Sequence, residues 1–238
     1  MAGQERGGVA VLIPAAGEGK RLGGHRKQFR RLGGQPLLVQ TLFVFERHPE
    51  IDYLLVAAPA EAAGILEAEL REDGLSKLTT VVVGGSTRQE SVRAALEAVP
   101  QDVEVVLVHD AVRPFVEAAH LSAVIGAVRA HGAAAMALPV ADTVRRGTGV
   151  CFGETVPRDS LYRMQTPQGF RRDWFVEAHR QALKDRFLAT DDVELVQRTG
   201  RRVHIVQGSP RNLKITTPED WRMAQLFWAR WEALHIQS

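Results

Sequence analysis

Six short apolar runs alternate along the chain with segments of helical pattern, and this alternation constrains the fold more than any other feature. The runs are Val9–Ile13, Tyr53–Ala58, Thr79–Val83, Glu104–His109, Ala133–Pro139 and Arg202–Val206. They have the length and β-branched content of buried strands. Strands that alternate with helices are typical of a mostly parallel sheet with helices on both faces. We therefore predict an α/β fold of this kind.

The helical segments carry recognisable start and stop signals. Ser86, with Gln89 three residues later, fits a capping box for a helix over Arg88–Val99. Thr217 followed by Pro218 fits the N-cap and first turn of a terminal helix. Further helices are predicted after Pro36, over Glu61–Leu70, Glu117–Ala130 and Trp174–Leu183, and from Asp191 to Gly200.

One segment, Ala141–Gln165, interrupts the alternation of strands and helices because its sequence has neither a clear helical pattern nor a long core strand. The turn residues Arg146–Gly149 lie between two short β-prone pieces, Asp142–Arg145 and Val150–Val156. This pattern predicts a β-hairpin arm that projects from the core. Because an isolated hairpin is marginal in water, we expect the arm to pack on a second copy of the chain as a dimerisation arm.

Composition limits the class of protein. With 238 residues, 45% of them hydrophobic, we expect one domain over 1–238 with the arm as an excursion at about 141–165. The net charge of +2 argues against a nucleic-acid-coating protein. The single cysteine, Cys151, excludes an internal disulfide, and we read it as a buried or incidental thiol. No apolar run is long enough to span a bilayer and the N-terminus has no signal-peptide pattern, so we expect a cytoplasmic protein.

The loop that follows the first strand is the strongest candidate site. It reads Pro14-Ala15-Ala16-Gly17-Glu18-Gly19-Lys20-Arg21-Leu22, and Lys27 follows shortly after. Exposed backbone N–H groups beside Lys and Arg suit a polyphosphate. The dinucleotide fingerprint fails at Leu22, and the second strand does not end in the acid that would bind a ribose. No P-loop is present either. An ordinary strand-to-helix turn with solvated cations is the alternative.

Two further segments follow predicted strands directly and would reach the same edge of the sheet. Gly84–Arg88 opens a helix, so its free N–H groups and Ser86 could bind a base or ribose, or could simply cap the helix. Asp110 ends a strand and could hold Mg²⁺, or could brace the following turn. Arg113 lies close enough to neutralise an anion or to pair with Asp110. His109 is expected to pack at the strand end rather than act as a base.

Cations outnumber candidate bases at this edge. No hydrolase motif is apparent, and Arg158, Thr166 and Lys214 lie in segments that do not read as core. This composition favours phosphoryl or nucleotidyl transfer, in which catalysis is mostly positioning and charge neutralisation.

Taken together, these elements resemble the 2-C-methyl-D-erythritol 4-phosphate cytidylyltransferase family of the non-mevalonate isoprenoid pathway. Seven motifs in order carry the resemblance over nearly the whole chain: Pro14–Gly17 with Gly19, Arg21 and Lys27-Gln28; Gly84-Gly85 with Arg88 and Ser91; His109–Ala111 with Arg113-Pro114; Asp142-Thr143; Thr155-Val156 with Arg158; Thr166–Gln168; and Asn212–Thr216. The resemblance implies a Rossmann-like fold with a dimerising arm. It also implies that CTP and methylerythritol 4-phosphate react to give the cytidine diphosphate alcohol and pyrophosphate, with Mg²⁺.

The resemblance also implies roles for individual residues. The catalytic set would be Arg21, Lys27, Arg158 and Lys214. The nucleotide would be bound by Pro14, Ala15, Ala16, Gly17, Gly19, Lys20, Gly84, Gly85, Ser86, Arg88 and Ser91. The sugar phosphate would be bound by Asp110, Arg113, Thr143 and Thr166 together with Arg158 and Lys214, and Asp110 is the metal candidate. Thr143 and Arg158 would reach the partner subunit's site.

The chain departs from the family at position 26, where Arg26 replaces a frequent proline, and the stretch between Leu22 and Lys27 is short. The nearest alternative activity is that of ribitol 5-phosphate cytidylyltransferase, which shares much of the nucleotide site. A non-catalytic nucleotide-binding protein of the same fold is a second alternative, and the presence of Arg21 and Lys27 argues against it. An NAD-dependent oxidoreductase is disfavoured by Leu22.

Overall fold

A computed structural model describes residues 7–17 and 27–235. Its strands are β1 (Gly8–Pro14), β2 (Arg31–Leu32), β3 (Gln35–Pro36), β4 (Tyr53–Ala58), β5 (Leu78–Val83), β6 (Val103–Val108), β7 (Ala133–Pro139), β8 (Val144–Gly147), β9 (Phe152–Val156), β10 (Tyr162–Arg171) and β11 (His204–Gln207). Seven of them form the central sheet in the order β11-β7-β10-β6-β1-β4-β5. All six predicted apolar runs are strands of this sheet, so the α/β prediction is confirmed.

The sheet is mixed rather than wholly parallel. β1 pairs in parallel with β4 and β6, and β4 with β5, whereas β10 runs antiparallel to both β6 and β7. β10 was not predicted from the sequence, and its first residues, 162–165, were expected in the arm. Polar residues and Pro167 obscure its strand pattern. Neighbouring elements bury its second half nonetheless: a Cβ at Gly169 would lie within 2.9 Å of Leu107, Val124 and Val128.

Helices cover both faces of the sheet. They are α1 (Leu37–Glu46), α2 (Ala63–Glu72), α3 (Arg88–Glu97), α4 (Ala118–His131), α5 (Arg172–Asp185), α6 (Asp192–Arg198) and α7 (Pro218–His235). One core cluster packs α1, α2 and α4 on one face, and a second packs α3, α5 and α6 on the other. A third cluster packs Trp221, Trp228 and Trp231 of α7 against Phe115. This two-sided burial explains why most of the strands read as continuous apolar runs.

α3 begins at Arg88 as predicted, but its capping residues differ from the prediction by one position. The capping box is formed by Thr87 and Glu90 rather than by Ser86 and Gln89: the Thr87 hydroxyl accepts from the Glu90 N–H at 3.1 Å, and the Glu90 carboxylate accepts from the Thr87 N–H at 3.2 Å. The same Glu90 carboxylate also accepts from the Ser86 N–H and hydroxyl, both at 2.7 Å. The side chain of Gln89 instead donates to the Phe187 carbonyl at 3.0 Å and accepts from the Ala189 N–H at 2.9 Å.

The arm is a two-stranded antiparallel sheet of β8 and β9, separate from the central sheet. Its tip carries apolar side chains in solvent, since Val150 is 94% and Phe152 is 87% exposed, and Cys151 is exposed rather than buried. β10 begins at Tyr162, so residues 162–165 belong to the central sheet. Of the helices in the described ranges, none has the length and apolar character to cross a bilayer.

Candidate active site

Two loops meet at the carboxyl edge of the sheet, because the strands that precede them run parallel on either side of β4. Residues 15–17 follow β1, and 84–87 follow β5. The two loops touch: a Cβ at Gly84 would lie 2.5 Å from the Ala16 Cβ and 2.9 Å from the Ser91 Oγ. Glycine is required at position 84 for this close approach. Residues predicted to bind the cytidine therefore lie side by side.

The side chain of Gln28 fixes the first loop, residues 15–17, by hydrogen bonds to its backbone. Its side chain is 3% exposed, and its amide donates to the carbonyl of Ala15 at 2.7 Å and of Gly17 at 3.1 Å. Gln28 lies in a 3-10 helix over Lys27–Phe29, so the backbone of Lys27 is one residue from the loop anchor. Gly19, Lys20, Arg21 and Arg26 lie outside the described residues, as does the side chain of Lys27.

Asp110, directly after β6, is the centre of the charge arrangement. Its carboxylate lies 3.0 Å from the Arg113 Nε, 3.1 Å from the Lys214 Nζ and 3.5 Å from the Arg88 Nε. The side chains of Asp110 and Arg113 are each 9% exposed, whereas that of Lys214 is 43% exposed. Three cations around one carboxylate leave an excess of positive charge, which suits an anionic ligand.

These cations determine the ionisation of Asp110. Burial alone would raise its pKa, but Lys214, Arg88 and Arg113 overcome that effect and hold the pKa of the carboxyl well below its usual range. Asp110 is therefore ionised at neutral pH. Burial would lower the pKa of Arg88, but Asp192 and Asp110 raise it above its ordinary value, so Arg88 also stays charged.

The donor set around Asp110 does not fit a protein-held Mg²⁺ site. Both of its oxygens already face cations: Oδ1 faces Arg88, and Oδ2 faces Arg113 and Lys214. Mg²⁺ typically takes one or two carboxylates and completes its shell with phosphates and water. Asp110 as a metal ligand therefore stays a prediction that this arrangement does not favour.

Arg88 is held in place by a second network that was not predicted from the sequence. Its Nη1 donates to the Asp192 carboxylate at 2.7 Å, and Asp192 is 1% exposed at the start of α6. The side-chain oxygen of Gln168 accepts the backbone N–H groups of Asp192 and Val193, and its nitrogen donates to Asp191. Asp191 and Asp192 were read only as a helix start, and no local signal pointed to Arg88.

The pKa of Asp192 departs in the opposite direction from that of Asp110. Burial raises it, with Asp191 and Asp110 adding to the rise, and the Arg88 guanidinium opposes that rise without cancelling it. For Asp192 the cost of desolvation therefore exceeds the attraction of its one cation. The pKa values of the two carboxylates that face Arg88 differ because Asp110 faces three cations whereas Asp192 faces one.

A buried histidine orients Thr166. The Asp110 N–H donates to the Thr166 hydroxyl at 3.1 Å, and that hydroxyl lies 3.1 Å from the His109 Nδ1. The His109 Nε2 faces the carbonyl of Arg113 at 3.0 Å, so Nε2 carries the proton and Nδ1 accepts from Thr166. Burial lowers the pKa of His109 to about 4. The ring is neutral and buried, which confirms the packing role expected for His109. The hydroxyl of Thr166 therefore donates its hydrogen bond within the protein, to His109.

The arm residues do not join this cluster within one chain. Thr143 and Arg158 are exposed, and the Arg158 guanidinium donates to the carbonyl of Ala141 at the base of the arm. Arg113 and Lys214, by contrast, are brought together because Arg113 also donates to the Asn212 carbonyl at 2.7 Å. The predicted set thus divides into a cluster at the sheet edge and two residues on the arm.

A mostly parallel sheet with a glycine-containing loop after its first strand and an excess of cations beside it defines the class: an α/β nucleotidyltransferase. Comparisons with known proteins agree. The family model of 2-C-methyl-D-erythritol 4-phosphate cytidylyltransferase matches residues 9–230. The chain belongs to this family, whose known activity is cytidylyl transfer to methylerythritol 4-phosphate.

Individual relatives agree with the family model. The 2-C-methyl-D-erythritol 4-phosphate cytidylyltransferase of Salinibacter ruber is 58% identical over 223 residues, covering 94% of each chain. The crystal structure of the enzyme of that name from Thermus thermophilus is 38% identical with a TM-score of 0.80, covering 93% of this chain and 99% of that one. The 4-diphosphocytidyl-2C-methyl-D-erythritol synthase of Anaerococcus prevotii is 30% identical with a TM-score of 0.82, covering 94% and 99%.

Proposed function

We propose that this chain transfers the cytidylyl group of CTP to 2-C-methyl-D-erythritol 4-phosphate and releases 4-diphosphocytidyl-2-C-methyl-D-erythritol and pyrophosphate. The observation that carries the proposal is the cation cluster of Arg88, Arg113 and Lys214 around Asp110, at the sheet edge that also carries the two loops fixed at Ala16 and Gly84. Substrate phosphate and nucleotide would meet at this edge.

The nucleotide would lie over the two touching loops. Ala15 and Ala16 would line the nucleotide, Gly84, Gly85, Ser86 and Ser91 would contact the base and ribose, and Pro14 and Gly17 would complete the turn. The first loop continues into Gly19, Lys20 and Arg21, which would contact the triphosphate. The excess of backbone N–H groups in such loops favours anionic ligands.

The sugar phosphate would bind to the cluster around Asp110. The phosphate oxygens would accept hydrogen bonds from Arg113 and Lys214, while Asp110 holds these two cations together and orients them. Lys214 is the most exposed of the three cations and can turn towards a ligand. Thr166 holds the backbone of Asp110 at the floor of the site.

The reaction needs no general base, because the attacking phosphate is already ionised at neutral pH. One of its oxygens forms a bond to the α-phosphorus of CTP as the bond from that phosphorus to the β-phosphate oxygen breaks, and pyrophosphate carries away the electron pair. Negative charge grows on the α-phosphate and on the leaving group. Arg21 and Lys27 are proposed to stabilise that charge, which is the main source of catalysis in this chemistry.

Mg²⁺ is proposed as a cofactor that arrives with the triphosphate. Bound there, it would neutralise the phosphates and favour departure of pyrophosphate. The three cations around Asp110 support this assignment over direct ligation by the carboxylate.

A homodimer is proposed, with the arm as its contact. The solvent-exposed Val150 and Phe152 at the tip support this, because large apolar side chains on a projecting hairpin gain stability when a second surface covers them. Thr143 and Arg158 would then contribute to the partner subunit's site.

Sedimentation equilibrium at assay concentration should give a dimer mass; a fully active monomer would refute the role of the arm. A cytoplasmic location also stays a prediction.

The test of the activity is pyrophosphate release from CTP with methylerythritol 4-phosphate and, separately, with ribitol 5-phosphate. We expect turnover with the first acceptor. Turnover with ribitol 5-phosphate alone would assign the chain to the sister activity. CTP binding without turnover of either acceptor would instead indicate a nucleotide-binding protein.

A further inference from the structure

Residues 208–217, the Lys214 segment, connect β11 to α7 without regular secondary structure. The side chain of Lys214 is long and 43% exposed, and its ammonium group lies 3.1 Å from the Asp110 carboxylate. An ion pair with so exposed a partner holds a lysine only weakly. The position of the ammonium group therefore depends on how firmly the main chain of this segment is held.

The side-chain amide of Gln165 holds the start of the Lys214 segment. Gln165 is 7% exposed. Its nitrogen donates to the Ser209 carbonyl at 2.9 Å, and its oxygen accepts from the Ser209 N–H at 3.2 Å. A Cβ at Gly208 would lie 2.3 Å from that oxygen, so glycine allows the close approach. The amide thus pairs with the main chain of Ser209 as the backbone of a neighbouring strand would.

The side-chain amide of Asn212 holds the segment nearer to Lys214. Asn212 is 0% exposed, and its side-chain nitrogen donates to the Thr166 carbonyl at 2.7 Å. The pairing of β10 with β7 shifts register between Met164 and Gln168, which leaves the Thr166 carbonyl available to the segment. The side-chain oxygen of Asn212 has no hydrogen-bond partner among the described residues, so this position uses the amide as a donor.

The two anchors meet on adjacent residues of β10, and the same place fixes Asp110. The hydroxyl of Thr166 accepts from the Asp110 N–H at 3.1 Å, while the carbonyl of Thr166 accepts from Asn212. Gln165, one residue earlier, holds the same segment. Buried amides on one strand therefore set the distance between the main chains that carry Lys214 and Asp110.

We propose that Gln165 and Asn212 are positioning residues for Lys214: their amides place its ammonium group where it binds the phosphate of the acceptor substrate. This role rests on the proposed function, which assigns Lys214 to the sugar phosphate. A misplacement of about 1 Å in a substrate-positioning group can cost about 10²-fold in rate, so the loss of either amide should be visible in the kinetics.

Steady-state kinetics of Gln165→Met and Asn212→Leu test this role, because both changes preserve size and remove the hydrogen bonds. At saturating CTP, kcat/KM for methylerythritol 4-phosphate should fall about tenfold or more, and KM for CTP should change less than about twofold. Either variant suffices if the other does not fold. Glu46→Met is the matched control. Glu46 accepts the N–H groups of Ser76 and Lys77 at 3.0 and 3.1 Å at the amino edge of the sheet, so its loss should leave both constants unchanged.

A double-mutant cycle separates positioning from a general loss of structure. In a chain that already carries Lys214→Ala, adding Gln165→Met should lower kcat/KM by less than about threefold, because the group that the amide positions is gone. A loss as large as in the chain that keeps Lys214 would indicate a purely structural role and would overturn the proposal.

The rise in Tm caused by inorganic phosphate reports the same role without turnover. Lys214→Ala defines the part of this rise that depends on Lys214. Gln165→Met and Asn212→Leu should lose that part, and Glu46→Met should keep it. If the unaltered chain shows this pattern but no turnover, the proposed function fails and the positioning role stands. Normal turnover with the kinetic constants of the Glu46→Met control in both amide variants, or a phosphate effect that survives in both, would overturn the positioning role alone.

Discussion

Replacing Asp110 by asparagine tests how the cation cluster is held together. Asp110→Asn preserves shape but removes the charge that faces Arg113, Arg88 and Lys214 at 3.0–3.5 Å. The side chain of Arg113 is only 9% exposed and would be left as a buried cation beside a neutral amide. Like charges around the amide would then repel one another.

The magnitude follows from the exposure of each cation. Removing one partner of a buried pair costs about 3–5 kcal/mol, and Arg113 accounts for most of that here. The pair with Lys214, which is 43% exposed, contributes about 0–1 kcal/mol. Because the amide oxygen still accepts a hydrogen bond, we expect a loss of about 3–4 kcal/mol. That corresponds to a fall in Tm of roughly 6–16 °C for a chain of this size.

Urea unfolding at pH 7 measures the loss, with Asp173→Asn as the matched control. Asp173 pairs with Arg171 on the surface, with side chains 60% and 47% exposed, and its change should cost under about 1 kcal/mol. Inorganic phosphate should stabilise Asp110→Asn more than the unaltered chain, because it replaces the missing anion.

The pH dependence gives the same experiment a second readout. The folded pKa of Asp110 is depressed, so its contribution is present above the unfolded value of about 3.9 and is lost as pH falls through the folded pKa. The stability gap between the unaltered chain and the variant should thus hold down to about pH 4 and close below it. An Asp110→Asn variant within about 1 kcal/mol of the unaltered chain at pH 7 would refute the reasoning.

Three further predictions concern other groups. Lys27→Ala should lower turnover about 10²–10³-fold with unchanged Tm, as expected for a charge used only in the transition state; near-normal turnover contradicts the assignment. Asp192→Asn should destabilise less than Asp110→Asn, because the folded pKa of Asp192 is raised; urea unfolding showing the reverse order disproves this. For His109 and His179, folded pKa values of about 4 mean that stability falls as pH drops from about 6.5 to 4, by up to about 3 kcal/mol each. In the His179→Phe variant, the free energy of unfolding should fall less steeply over this pH range. A curve of unfolding free energy against pH that runs parallel to that of the unaltered chain would contradict this prediction.

The parts of the fold that the sequence predicted correctly are those encoded locally. Tyr53–Ala58 and Ala133–Pro139 are strands with the predicted bounds, because a strand buried on both faces must be apolar throughout. β10 was not predicted because polar residues and Pro167 obscure its strand pattern, although neighbouring elements bury its second half. The cap of α3 was misplaced by one residue because both Ser86 and Thr87 have an acceptor at the right spacing.

The site was predictable only as a set of separate loops. Their position after a strand singled out Asp110 and Arg113, the resemblance assigned them and Lys214 to the sugar phosphate, and the structure brings the three together. Arg88 and Asp192 form an ion pair although they lie 104 positions apart in the sequence, and no local sequence pattern indicates such a pair. Thr143 and Arg158 remain apart from the cluster, as expected for residues assigned to a partner's site.

The sequence by itself determined the α/β class, the hairpin between β7 and β10, and which loops follow strands at the carboxyl edge. Periodicity, turn residues and capping signals are local, so they can be read from neighbouring positions. The tertiary structure alone decided that Asp110 faces three cations, that Asp192 and Gln168 hold Arg88, and that His179 is buried without a hydrogen-bond partner among the described residues. Each of these depends on desolvation and on charges contributed by distant segments, and those quantities exist only once the chain is packed.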